Sequence, residues 1–442
     1  MPAKFRQFVW GVASAAAQTE SREGRGRTNW DEFSEISGAI EDGSTTASLT
    51  EFDKRYCEDL DLLAHAGVPA FRLSTSWARV QPEGPGRPSE AGLDHYDRLF
   101  DAMIERGITP WVTLFHWDIP VWAGDFRDRD IAARMAEYAE IMVGRFGDKV
   151  RNWIILNEPN SVAVAGYGLG RHAPGLASSQ DMIAAIHHQN LALGLMAQAA
   201  RSRASTDTRI GTTHNVASAT PVNSSAENKL AAQKFESIWN WVFLDPLFGR
   251  GYPTSFADAV APLVRDGDLD IIAADPDFLG VNYYCRVPIE AAGTGAGFQL
   301  STDFAPHLER TQYFAVEPDG LTEALTMVSK RYGSIPLYVT ETGFAFGGDE
   351  IEDRVSDPDR SRHLDAYLAA TAQARSQGAD VRGLFYWSAT DNWEWAHGFT
   401  RNFGLIAIDP VTQRRLPKDC LGKFGALVER HFPSRELQAA AV

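Results

Sequence analysis

The stretch Trp153-Ile154-Ile155-Leu156-Asn157-Glu158-Pro159 decides how this chain reads. A short apolar run stops at a carboxylate, and a proline follows that cannot extend a strand interior. The stretch Pro336-Leu337-Tyr338-Val339-Thr340-Glu341-Thr342-Gly343 also carries a short apolar run up to a carboxylate. A charged side chain at the carboxyl end of a buried strand belongs to the mouth of a barrel or open sheet. That is where α/β proteins keep their chemistry.

Working outward, further strands are predicted at Phe8–Ala13, Ala70–Ser74, Thr109–Phe115, Arg209–His214, Phe278–Tyr283 and Gly383–Trp387, beside Trp153–Asn157 and Leu337–Thr340. Apolar stripes at helical spacing lie between them. Tyr56, Leu60, Leu63 and Ala64 form one, and Leu99, Met103 and Ile104 another. Ile131, Met135, Tyr138, Ile141 and Met142 form a third. Alternation of this kind predicts parallel strands joined by crossover helices. Repeated eight times, it predicts an α/β fold of one closed (β/α)8 TIM barrel, taken as one domain over residues 1–442. A doubly wound sheet is the alternative, but no Gly-x-Gly-x-x-Gly turn follows the first strand. The long segments Gln18–Thr50, Pro159–Ser179, Tyr284–Val316 and Ala389–Pro417 mostly begin where a strand ends. They would stack on the active-site face and build a pocket there.

Composition narrows the partners. A formal net charge of -16 disfavours nucleic acid and anionic membrane. No apolar run approaches the ~18 residues of a membrane span. Cys57, Cys285 and Cys420 are widely spaced and odd in number, which points to a reducing, cytoplasmic setting. They show no metal-ligand spacing. His187-His188 is no metal pair either, because adjacent positions diverge on a helix.

The strand ends deliver a particular set of side chains. The first leads to Gln18, the second carries Arg72, and the third ends in His116-Trp117-Asp118. The fourth ends in Asn157-Glu158 and the sixth in Asn282-Tyr283-Tyr284. The seventh gives Glu341. The eighth gives Trp387, then Asp391-Asn392-Trp393-Glu394-Trp395. Amides and carboxylates suit the hydroxyls around a hexose, and an indole suits its C–H face. Two carboxyl groups facing one bond are what glycoside hydrolysis needs. A phosphate clamp, a metal cluster and a Ser-His-Asp arrangement are missing from the set. Asp118 and Asn392 read as structural bracing, Tyr283, Trp239 and Trp241 as core.

These motifs resemble glycoside hydrolase family 1, the β-glucosidase family. The matching stretches are Phe8-Val9-Trp10-Gly11 with Gln18 and Glu20, Phe71-Arg72-Leu73-Ser74 with Ser76-Trp77, and Phe115-His116-Trp117-Asp118. They continue with Asn157-Glu158-Pro159, Asn282-Tyr283-Tyr284 and Thr340-Glu341-Thr342-Gly343, and end with Tyr386-Trp387-Ser388 and Asp391-Asn392-Trp393-Glu394-Trp395. They span nearly the whole chain in order.

The resemblance implies a retaining β-glucosidase that works without a cofactor or metal on a small β-glucoside or oligosaccharide. Glu158 would be general acid and then base, and Glu341 the nucleophile. Arg72 and Tyr284 would keep Glu341 ionised. Asn157 and Asn282 would support the pair, Asn157 holding the sugar 2-hydroxyl. Gln18, His116, Trp117, Glu394 and Trp395 would line the terminal-sugar pocket, with Trp387 as platform and Phe403 closing the far side. The 6-phosphosugar branch carries serine at the Glu394 position and tyrosine at that of Phe403, so an unphosphorylated sugar is expected. A transglycosidase would use the same carboxylates, and a silent sugar-binding protein the same pocket. A homo-oligomer is compatible with all three. Thr342, Ser21, Trp393, the segment Leu49–Arg55 and the short Ala123–Phe126 loop depart from the family pattern, which leaves the aglycone open.

Overall fold

The structure, a computed structural model, describes residues 8–293, 297–301, 308–347, 351–409 and 411–433. Eight strands form a closed barrel. They are β1 (Val9–Ala13), β2 (Ala70–Ser74), β3 (Thr109–Phe115), β4 (Asn152–Asn157), β5 (Arg209–Asn215), β6 (Phe278–Asn282), β7 (Leu337–Thr342) and β8 (Val381–Trp387). Every neighbouring pair is parallel. The barrel closes where β1 pairs with β8, from Val9 opposite Gly383 to Ala13 opposite Trp387. Parallel pairing forces each connection to cross the sheet, and the helices Phe52–His65, Glu90–Glu105, Ile131–Phe146, Ser179–Arg203, Pro318–Tyr332 and Pro358–Ser376 do so.

The strand register differs from the sequence expectation mainly at β6 and β7. β6 stops at Asn282, one residue short of Tyr283. β7 runs on through Glu341 to Thr342. The ladder continues because Glu341 pairs with Asn282 after a register shift, and the Tyr283 amide donates to Glu341 O at 3.0 Å. A polar residue stays in a strand when its backbone groups remain paired. Ile104 also departs from its stripe: it is 46% exposed, on the solvent side of its helix. Trp239 and Trp241 are half-buried rather than core. Each indole has a polar neighbour at the surface: Trp239 Nε1 donates to Asn215 O at 2.9 Å, and Arg331 lies 4.4 Å from the Trp241 ring.

Alternation along the strands divides the barrel interior into two layers. Trp111, Ile154, Phe278, Tyr338 and Phe385 form an apolar plug. Trp111 sits 4.8 Å from Tyr338 and 5.1 Å from Phe385, ring centre to ring centre. Arg209 caps the plug, 5.1 Å from the Trp111 ring, and donates to the Tyr338 hydroxyl at 2.8 Å. Toward the carboxyl ends the layer turns polar. Gly280 makes room for it: a Cβ there would meet Thr213 Oγ1 at 2.2 Å and Thr340 Oγ1 at 2.7 Å. Those hydroxyls bond each other at 3.2 Å, and Thr340 passes the chain to Asn282 Oδ1 at 2.8 Å.

Loops leaving the carboxyl ends carry their own structure. A three-stranded sheet joins Ala219–Pro221, Val287–Ala291 and Phe298–Leu300, and a hairpin joins Ile406–Ile408 to Arg415–Pro417. Among the described residues no helix is long and apolar enough to cross a membrane.

Candidate active site

Glu158 and Glu341 reach the barrel mouth by different local routes. Glu341 lies in β7 and inherits its direction from the strand. Glu158 follows β4 with φ 46°, a left-handed conformation that a side chain rarely adopts. Holding it there costs on the order of 1–3 kcal/mol. Its amide donates to Thr213 O at 2.9 Å, Gln189 Nε2 donates to Pro159 O at 3.0 Å, and Pro159 starts the next helical turn. These bonds offset the strain and aim the carboxylate inward.

Glu341 is held by donors. Arg72 Nη1 donates to Oε1 at 2.5 Å, and the Tyr284 hydroxyl donates to Oε2 at 2.8 Å. Burial and the surrounding carboxylates push the Tyr284 phenol well above its ordinary value, so it stays a donor. Glu158 is held by neutral groups instead. Asn282 Nδ2 donates to Oε1 at 2.8 Å and Ser161 Oγ to Oε2 at 2.6 Å. Burial, and then the charge of Glu341, raise the Glu158 carboxyl to about 7. Two carboxyl groups in one site thus receive opposite environments, one beside a guanidinium and one without a cation.

Asn157 ties the pair together. Its Oδ1 accepts from Arg72 Nη2 at 2.5 Å and from Asn282 Nδ2 at 3.1 Å. The amide nitrogen therefore faces His116 Nε2, 2.9 Å away. Burial and Arg72 hold His116 well below its ordinary value, so the ring is neutral. Nε2 must accept, which leaves the ring proton on Nδ1. That Nδ1 is buried without a protein partner, as is Gln18 Oε1. Such atoms are the natural partners of ligand hydroxyls.

The other predicted residues close the ring. Gln18 Nε2 donates to Asn392 Oδ1 at 2.9 Å and Trp393 O at 3.0 Å, with Glu394 Oε2 at 3.3 Å. Glu394 is raised to about 8 by burial, against a bond from Trp387. His116 stacks 5.7 Å from Trp387, and Trp117 stacks 4.5 Å from Trp395. Phe403 lies with Trp387 in one apolar cluster, edge-on to Tyr284 at 6.2 Å. Asp118 braces Ser76 at 3.0 Å, and Tyr283 is buried with its hydroxyl on Glu317 O. Two of the departures from the family pattern have local partners: Ser21 Oγ donates to Asp53 Oδ2 at 2.6 Å, and Trp393 Nε1 donates to Ser44 Oγ at 2.9 Å.

The sequence motifs do not signal Ser161, or Asn215, which with Ser161 lowers the Glu158 carboxyl. Ser161 was readable in principle. Pro159 starts a helical turn, so the third residue after Glu158 returns to its face. No group of His, Cys, Asp and Glu suited to hold a metal occurs among the described residues.

A (β/α)8 barrel with two differently bonded carboxyl groups in a ring of amides and indoles defines a glycoside hydrolase site. Comparison with known proteins agrees. Residues 1–431 match the model for glycosyl hydrolase family 1. Beta-glucosidase A of Thermotoga maritima is 34% identical over 423 residues, covering 93% of this chain and 94% of that protein. A bifunctional beta-D-glucosidase/beta-D-fucosidase of Bifidobacterium breve is 36% identical over 459 residues, covering 96% and 98%. The solved structure of the Thermotoga maritima β-glucosidase with glucoimidazole superposes with a TM-score of 0.91 at 32% identity, covering 96% of this chain and 98% of that one. The chain belongs to glycosyl hydrolase family 1 and is a glycoside hydrolase.

Proposed function

We propose that this enzyme is a retaining β-glucosidase that removes terminal, non-reducing β-D-glucosyl residues by double displacement. The opposite environments of Glu158 and Glu341 carry this reading. Glu341, whose two oxygens accept from Arg72 and Tyr284, attacks the anomeric carbon. Glu158 gives its proton to the departing glycosidic oxygen. The ester that results removes the charge of Glu341, so Glu158 becomes a stronger acid and settles as its carboxylate. It then takes a proton from water, whose oxygen displaces Glu341. Asn157 binds the 2-hydroxyl, Gln18, His116, Trp117, Glu394 and Trp395 bind the remaining edge, Trp387 carries the ring and Phe403 closes the pocket. No cofactor takes part in these steps.

The names of the relatives support glucosides as substrates, and the bifunctional relative supports fucosides as a second class. The three cysteines are free, which supports a reducing, cytoplasmic setting. The test is hydrolysis of an aryl β-glucoside beside its galactoside, fucoside and 6-phosphoglucoside, with Glu158→Gln as control. Fast release from the glucoside, lost in the control, is expected. A folded protein silent on the whole panel would refute the reading and leave a binder of sugars.

A further inference from the structure

Ser161 stands beside the oxygen of Glu158 that has to carry the proton. Asn282 settles which oxygen that is. Its Oδ1 accepts from Thr340 Oγ1 at 2.8 Å, so its Nδ2 must face Glu158, where it donates to Oε1 at 2.8 Å. An amide N–H cannot accept, and a proton on Oε1 toward Asn282 would meet another proton. The proton of the acid form therefore belongs on Oε2. Ser161 Oγ lies 2.6 Å from that atom, and Ser161 is buried.

We propose that Ser161 is a positioning residue for the acid–base carboxyl, its hydroxyl stabilising the carboxylate that Glu158 becomes when the leaving group departs. This rests on the reading of Glu158 as acid and base. In the first step the Oε2 proton passes to the glycosidic oxygen as the C–O bond breaks, and the pair left on Oε2 accepts from Ser161. In the second step a water proton returns to Oε2 while the water oxygen bonds C1 and the Glu341 ester breaks. The serine hydroxyl rotates, so it serves both states, whereas the Asn282 amide can only donate.

Other groups also act on Glu158. Glu341 in β7 raises its carboxyl, while Asn282 and Asn215 lower it along with Ser161. Glu394, Tyr284 and Tyr313 feel its charge from the neighbouring loops. Arg72 reaches it only through Asn157, which also separates it from His116. Among these, Ser161 is the hydroxyl bonded to Oε2 on the helical turn that Glu158 itself begins.

The test is the pH profile of kcat/KM for Ser161→Ala and Ser161→Thr on an aryl β-glucoside, with rates on a dinitrophenyl glucoside to isolate the second step. Loss of the hydroxyl should move the basic limb up by about one pH unit and slow the second step several-fold, and threonine should restore both. Should the alanine variant not fold, Ser161→Val replaces it, keeping the volume of threonine without its hydroxyl. A limb that stays or moves down without the hydroxyl, or moves equally with threonine, overturns the assignment. Glu158→Gln in the same assay separates the two claims. A basic limb and rate unchanged in that variant would sink Glu158 as the acid, whatever Ser161 does.

Discussion

Arg72 Nη1 and Glu341 Oε1 lie 2.5 Å apart with both side chains withdrawn from solvent, joining β2 to β7. A buried carboxylate without a cation would take up a proton, and a buried guanidinium without an anion would leave its charge unpaired. The pair satisfies both buried charges and fixes the Glu341 carboxylate at the barrel mouth. Arg72 also bonds Asn157 Oδ1, so the same cation orients the residue next to Glu158.

Removing the proposed nucleophile gives the first prediction. Glu341→Gly should lower hydrolysis by at least about 10⁴-fold. Azide should restore turnover by entering the vacated space, with the α-glycosyl azide as product. Product analysis by NMR checks this, and a β-azide product would reverse the roles of the two glutamates.

Glu158→Gln should behave differently. It should lose nearly all rate on glucosides whose leaving group needs a proton, yet form the glycosyl-enzyme on dinitrophenyl glucosides at close to the original rate. A plot of log rate against leaving-group pKa should steepen relative to the parent enzyme. Equal losses across the series would contradict the acid role.

The pH dependence follows from the Glu158 carboxyl at about 7, raised first by burial and then by Glu341. The acid step needs the protonated form, so kcat/KM should fall as pH rises through about 7. Esterifying Glu341 removes a negative charge, so the same carboxyl should titrate lower in a trapped 2-fluoroglucosyl enzyme. Carbon NMR of labelled glutamate measures both states, and an unchanged or higher value on trapping would contradict the coupling.

Much of this site was legible because each strand end carries its own chemistry. Asn157-Glu158 and Glu341 could be placed on a barrel mouth from apolar runs alone. Ser161 was not seen, because its role depends on the left-handed turn at Glu158, a feature of backbone geometry rather than residue type. The end of β7 is hidden from the sequence for a related reason. Polar Glu341 and Thr342 remain in the strand through ladder pairing that hydrophobicity does not report. Ile104 shows the opposite failure, an apolar residue at helical spacing that still faces water.

Glu394 gives a prediction on specificity. Its carboxyl, raised to about 8, sits in a buried site that already holds Glu158 and Glu341. Arg401, on the same loop, turns its Nη1 and Nη2 to Thr400 and Glu41. A 6-phosphate would enter a buried site among three acids, so kcat/KM for the 6-phosphoglucoside should lie at least about 10³-fold below that of the glucoside. Comparable rates would contradict this pocket assignment.

The aromatic plug carries a stability prediction. Trp111→Ala should destabilise the barrel by about 3–5 kcal/mol, read by denaturant unfolding, because it opens a cavity beneath the polar layer. A loss under about 1 kcal/mol would mean that the neighbouring rings collapse into the space.

The central claim is that Glu341 bonds the sugar while Glu158 moves protons. Peptide mapping by mass spectrometry, after inactivation with 2,4-dinitrophenyl 2-deoxy-2-fluoro-β-glucoside, tests it most directly. The account predicts one fluoroglucosyl group on the peptide containing Glu341, at that residue. Labelling at Glu158, or no adduct in a protein that still turns over the unsubstituted glucoside, would contradict it.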